Sequence, residues 1–194
     1  PGNHNQYRLD GQWRDLEVGK VKLKLKIWGF IPWSVTREVL YSEHGPALRT
    51  DHGVYAIRYA GINEMKQVEQ WLAMNTAQNF QQWKDAIALN HIQSFNFVYA
   101  NKHGDIHFIH NAQLPVRAPG WNWQQYLPGD LSELIWRDYH PTSVLPQVTN
   151  PQSGFVHSAN QTPFNISEAR DNPLPALAPE NGGWQTRMTN RATR

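Results

Sequence analysis

The run Lys20-Val21-Lys22-Leu23-Lys24-Leu25-Lys26-Ile27 alternates strictly between lysine and an aliphatic residue. A period of two is the spacing of a β-strand, whose successive side chains point to opposite faces, and it does not fit one face of a helix. It predicts a half-buried antiparallel strand, with four lysines on a wet face and Val21, Leu23, Leu25 and Ile27 on a dry one. No arginine or aromatic residue interleaves on the lysine face, so the stripe reads as edge-strand protection against aggregation rather than as a phosphate track. The overall charge agrees. With 18 Lys+Arg against 16 Asp+Glu the formal surplus is +2, too small to mark a polyanion partner, and no nucleic-acid binding is expected. Further strand-like stretches over 35–41 and 53–59, with turns at His44-Gly45-Pro46 and Thr50-Asp51-His52-Gly53, predict a β-rich segment over residues 1–60.

The period then lengthens. Asn63 is positioned to cap a helix running to about Met74, with Met65, Val68, Trp71 and Leu72 as its apolar stripe. Thr76 is positioned to cap a second, with Phe80, Trp83, Ala86 and Ile87 recurring at helical spacing to about Leu89. Both stripes predict core. Residues 94–100 and 105–110 flank Asn101-Lys102-His103-Gly104, a four-residue loop ending in Gly, which predicts a hairpin. From Leu114 to Pro151 the texture turns to Pro, Gly and Trp, as in a functional or covering loop. Phe155-Val156-His157-Ser158-Ala159 predicts one more short strand ending at Asn160. The last stretch, from Gln185, reads as the start of an arginine-rich helix.

Several chemistries fall away. There is no cysteine, which excludes disulfides, Cys-ligated metals and a Cys nucleophile. No apolar run approaches the roughly 20 residues of a membrane span, and Pro1-Gly2-Asn3-His4 carries no signal peptide. The chain starts without Met, so it reads as a processed chain or an excised piece. Nine histidines invite a metal, but His107 and His110 lie three apart on a strand, where they point to opposite faces and cannot share an ion. None of the eight serines sits in a Gly-x-Ser-x-Gly elbow. Asn160 is different: a carboxamide at a strand end, followed by Gln161-Thr162-Pro163, can present its NH2 as the fixed donor an oxyanion hole needs. On spacing alone the plainer reading, an Asn that satisfies turn backbone, leads.

The run Asn150-Pro151-Gln152-Ser153-Gly154-Phe155, followed by Asn160-Gln161-Thr162-Pro163-Phe164, resembles the Asn-Pro-x-Ser-Gly-(Tyr/Phe) and Asn-x-(Ser/Thr)-Pro signature of the penicillin acylase family. Other matches fall in the family's order. They include Asp10-Gly11-Gln12-Trp13, His44-Gly45-Pro46, Asn96-Phe97-Val98-Tyr99-Ala100, Trp121-Asn122-Trp123 and Tyr126-Leu127-Pro128-Gly129-Asp130. The flavour of the last is closest to the acyl-homoserine lactone acylase-like branch. The resemblance implies an α+β chain, part of a four-layer αββα N-terminal-nucleophile hydrolase core. Residues 1–60 would be a β-rich excursion, and residues 61–194 part of the core with long covering loops.

It also implies a mechanism. An N-terminal Ser, released from a zymogen by autoproteolysis, attacks the amide of an N-acyl substrate with its own α-amino group as base. That Ser would lie outside this chain, which then reads as an internal fragment of the β-chain, inactive alone. By motif match Asn160 corresponds to the oxyanion-hole Asn, Phe95 to a position lining the acyl pocket, and Asp171 to a ligand of a structural calcium. Arg191, rather than Arg187, corresponds to an arginine near the active site. The implied partners are a small N-acyl amide and the remainder of the same precursor, its α-chain and the N-terminal part of its β-chain. No organic cofactor is implied, and the family's usual location is periplasmic or secreted. The competing expectation is a secreted binding module whose Trp121, Trp123, Trp136 and Trp184 stack on a ligand such as a sugar.

Overall fold

A computed structural model describes residues 4–179 and shows an α+β chain, with three antiparallel sheets and two α-helices among those residues. The chain divides into two units, one of residues up to 62 together with 120–136, the other of residues 63–119 and from 137 onward.

The first unit opens on a hairpin of β1 (Gln6–Leu9) and β2 (Gln12–Asp15). Asp10 (φ 48°) and Gly11 (φ 81°) supply the two positive-φ residues that a tight hairpin turn requires. Then β3 (Glu17–Ile27), β4 (Ile31–Ser42), β5 (Gly45–Thr50) and β6 (Gly53–Ala56) form a sheet in that order. The lysine run is therefore a strand, and β3 is an edge. Its register, with Leu23 opposite Val35 and Leu25 opposite Trp33, gathers the apolar residues of both strands on one face. The expected half-burial does not occur, however, and Leu25 is 48% exposed. Only Leu40–Ser42 of β4 pairs with β5, so among the described residues no third strand lies beside the outer length of the β3–β4 hairpin.

The expected turn at His44-Gly45-Pro46 also shifts, because Gly45 and Pro46 already belong to β5 and the turn lies at residues 43 and 44. Gly45 has no substitute there. At φ 137°, a Cβ would lie 2.4 Å from the Ile57 carbonyl oxygen. Within the Pro/Gly/Trp-rich stretch, residues 120–136 form no strand or α-helix and are held by hydrogen bonds. Asp10 N–H donates to Asp130 O (2.8 Å), Ser132 N–H to Asp10 Oδ1 (3.0 Å), and Arg58 to the Trp136 carbonyl.

The second unit packs α1 (Gln67–Thr76) and α2 (Phe80–Ala88) on a sheet of β7 (Ser94–Ala100), β8 (Ile106–Ala112) and β9 (Gln147–Thr149). Both expected caps are displaced. Asn63 sits at φ 65° before the helix, and α1 starts after Lys66 with no side-chain cap. The cap of α2 is Asn79, whose Oδ1 accepts from Gln82 N–H (2.9 Å), while Thr76 closes α1 by bonding back to Leu72 O. The stripe of α2 is core as predicted: Trp83, Ala86 and Ile87 join Met74, Ile92, Phe97 and Ile109 in one cluster.

The stripe of α1 is not. Val68 is 75% and Leu72 62% exposed, and the helix buries Gln70 and Met74 instead. Gln70 wins that position by hydrogen bonding, with Oε1 accepting from His91 N–H (2.7 Å) and Ile92 N–H (2.8 Å) and Nε2 donating to Ile87 O (3.3 Å). A buried amide with its bonds made costs little, and here it ties α1 to the end of α2.

Candidate functional site

Residues 155–159 do not form the expected strand; they run without a ladder partner into a loop that carries Asn160. The loop is shaped by the next residue. Gln161 is fully buried, and its carboxamide accepts from Ala159 N–H and donates to His157 O (3.2 Å) and Asn165 O (3.0 Å). His157 N–H to Ile166 O (2.9 Å) and Asn165 N–H to Thr162 O (3.1 Å) close the loop on itself. Asn160 stands at its turn in the left-handed region (φ 57°), which Asn tolerates better than most residues. It is exposed, and its own carboxamide makes no hydrogen bond among the described residues. The arrangement is a fixed backbone presenting an amide with two unused N–H donors.

Upstream the loop is tied to the sheet. Asn96 on β7 donates from Nδ2 to Ser158 Oγ (3.2 Å), and its Oδ1 lies 2.7 Å from His110 Nδ1 on β8. Burial holds the His110 imidazole below its ordinary pKa, and a bond to an amide oxygen selects the tautomer protonated at Nδ1. The expected four-residue loop would set Asn96 opposite Ile109; the observed hairpin pairs Ala100 with Ile106, one residue further on, and so sets Asn96 opposite His110. The buried role of Gln161 has no sequence signal, because burial of an amide depends on partners the fold brings to it.

Phe95 lies on the other face of β7, alternating with Asn96 and sharing its side with Phe97 and Tyr99. It is 52% exposed and packs edge-on against Trp71 of α1, with ring centroids 6.0 Å apart. Trp71 also meets Phe97 at 5.5 Å, so it continues an aromatic surface that reaches from the core to solvent. The sequence reading put Trp71 in the core and missed it as a surface partner of Phe95. No described hydrogen bond or ring contact joins Phe95 to the Asn160 loop.

Asp171 belongs to the base of the Asn160 loop system. Its carboxylate accepts from Ser153 N–H (2.8 Å) and Gln152 N–H (3.3 Å), with Arg170 Nε 3.8 Å away. The Ser153 N–H, foremost among these, holds the carboxyl below the usual range. Next to it, Asn172 Oδ1 accepts from Ile166 N–H and Ser167 N–H. A calcium cage needs six or more oxygens, whereas the neighbours of Asp171 are amide donors and a guanidinium. Among the described residues no group of three or more His, Asp or Glu that could hold an ion surrounds Asp171, so any further oxygens for a calcium there would be backbone or amide carbonyls or come from outside residues 4–179. Arg191 and Trp184 lie outside the described residues.

Among the described residues the histidines take part in no group of three or more His, Asp or Glu that could hold an ion. His107 is buried against Phe80 and Trp83, with Nδ1 2.7 Å from Thr149 Oγ1, and lies on the opposite face from His110. Of the tryptophans of the competing reading, Trp121, Trp123 and Trp136 lie among the described residues, each half-buried and engaged with protein groups. Trp123 and Trp136 are tilted by 60°, Arg58 lies over Trp136, and Trp121 Nε1 donates to Glu133.

Comparison with known proteins follows the same lines. The sequence is 27% identical to Escherichia coli penicillin G acylase over 169 residues, which is 85% of this chain and 19% of that protein. A solved structure of a thermostable penicillin G acylase from Alcaligenes faecalis superposes with a TM-score of 0.66 at 22% identity, covering 88% of this chain and 31% of that one. The chain thus spans less than a third of the length of either relative. The family model described as penicillin amidase matches residues 1–194, and the chain belongs to that family.

Proposed function

We propose that this chain is an interior part of an amidohydrolase that cleaves the amide bond of small N-acyl compounds through a serine acyl-enzyme. In this reading the serine hydroxyl and the amine that deprotonates it come from a part of the parent protein beyond this chain. The hydroxyl oxygen adds to the amide carbonyl, whose oxygen becomes an oxyanion. Collapse breaks the C–N bond, the amine leaves with the proton, and water then hydrolyses the ester. Asn160 contributes an N–H donor to the oxyanion. Such a donor, preorganised where charge develops, is worth roughly 3 kcal/mol of transition-state stabilisation. Phe95, with Trp71 beside it, contributes apolar surface to the acyl group.

The observation that carries the reading is the unengaged Asn160 carboxamide on a loop clamped by buried Gln161. Acyl-homoserine lactones, penicillin-type amides, maturation from a zymogen, Arg191 near the reacting centre and a periplasmic or secreted location are finer parts of the same proposal. Calcium at Asp171 enters it only with further oxygen ligands from backbone or amide carbonyls or from outside residues 4–179. The test is to assay the full-length parent on N-phenylacetyl amides and on N-acyl homoserine lactones of graded chain length, with rapid quench for a covalent acyl-enzyme. Release of amine with a trapped acyl adduct is expected. A parent that hydrolyses neither class overturns the proposal.

A further inference from the structure

Asn96 has no part in the chemistry just described, yet its amide is oriented from both ends. Its Oδ1 is occupied by His110 Nδ1–H at 2.7 Å, which leaves Nδ2 to face Ser158 Oγ at 3.2 Å. His110 is itself fixed, with a half-buried ring and a backbone N–H donating to Pro146 O at 2.9 Å. Ser158 is exposed, so its bond to Asn96 competes with water and adds little to stability. What the bond does determine is where the loop starts. Two residues later the chain enters the left-handed conformation at Asn160, a sparsely populated region that persists only where neighbours over-determine it. Gln161 secures the downstream side through His157 O and Asn165 O; the upstream side is joined to the sheet through Ser158.

We propose that Asn96 is a positioning residue for Asn160, acting through a His110–Asn96–Ser158 strap that aims the carboxamide. The inference rests on the reading of Asn160 as the oxyanion donor. A donor displaced by about 1 Å loses most of its effect on a transition state, on the order of a hundredfold at the extreme, while ground-state binding is left largely alone. Loss of the strap therefore lowers kcat and spares KM.

The experiment uses the full-length parent and the variants Asn96→Ala, Ser158→Ala, their double, Ser158→Thr and Asn160→Ala. Asn96→Ala and Ser158→Ala are each expected to lower kcat about tenfold, with KM and melting temperature near those of the parent. The double variant should fall no further than Asn96→Ala alone, because that variant already breaks the Asn96–Ser158 bond that Ser158→Ala removes. Ser158→Thr, which restores the hydroxyl, should keep most of kcat. Unchanged kcat in Ser158→Ala, additive losses in the double, or a loss in Ser158→Thr equal to that in Ser158→Ala overturns the strap. Those outcomes alongside a large loss in Asn160→Ala leave the oxyanion reading standing, whereas an unchanged kcat in Asn160→Ala removes that reading and the strap with it. Should Asn96→Ala fail to fold, exposed Ser158 still decides the matter.

Discussion

Acidification provides a test of the second unit that needs no substrate. His107 is buried, and burial first, with the positive charge of Lys84 adding to it, pushes its imidazole from the ordinary 6.5 down to about 4. Bonds to the neighbouring strand oppose this only in part. In the unfolded chain the same group takes up its proton near pH 6.5. The unfolded state therefore binds more protons between the two values, and the stability that neutral His107 supports is full above about 6.5 and drains away as pH falls towards 4. The interval from 6.5 to about 4 corresponds to roughly 3 kcal/mol at about 1.4 kcal/mol per pH unit, a large share of the 5–15 kcal/mol typical of a domain.

Burial also lowers His110 and His44, which add to the same loss. The contribution of His107 is thus the difference between parent and His107→Gln, taken from urea midpoints at matched pH between 7.5 and 4. Titration of the imidazole carbon-bound proton by NMR reads the group directly, and Lys84→Met should raise its pKa. An imidazole that titrates near 6.5, or a His107→Gln variant that loses as much stability on acidification as the parent, refutes the reasoning.

Three other substitutions separate the observed helix orientation and surface from the ones expected. Trp83→Ala, in the core and 7% exposed, should cost about 3–5 kcal/mol, whereas Leu72→Ala on the exposed side of α1 should cost under about 0.5 kcal/mol; equal losses in urea unfolding would return Leu72 to the core. Trp71→Ala in the full-length parent should raise KM for long apolar acyl groups more than for short ones, with kcat little changed, and a loss independent of acyl length would remove Trp71 from the acyl surface.

Legibility followed the range of the forces involved. The lysine alternation of β3, the 94–110 hairpin and the α2 stripe were readable because each is set by local period and turn chemistry. Failures came where partners distant in sequence decide. Helix α1 turns Gln70 inward because the N–H groups of residues 91 and 92 await an acceptor there, and no periodicity count weighs an amide above Val68 or Leu72. The apolar face of β3 gave no sign that β5 pairs with only the end of β4. At the candidate site Asn160 was singled out by its place after a short extended run and by resemblance. Its support by Gln161, and the engagement of Asp171 with backbone N–H groups, exist only once the 150–172 loops have closed.

The central claim is that Asn160 donates to the oxyanion of an acyl-transfer reaction. Its most direct test is the single-turnover acylation rate of Asn160→Ala in the full-length parent, measured with substrate saturating and folding checked by melting temperature. The account predicts a fall of roughly a hundredfold or more with KM and melting temperature nearly unchanged; an acylation rate equal to that of the parent would contradict it.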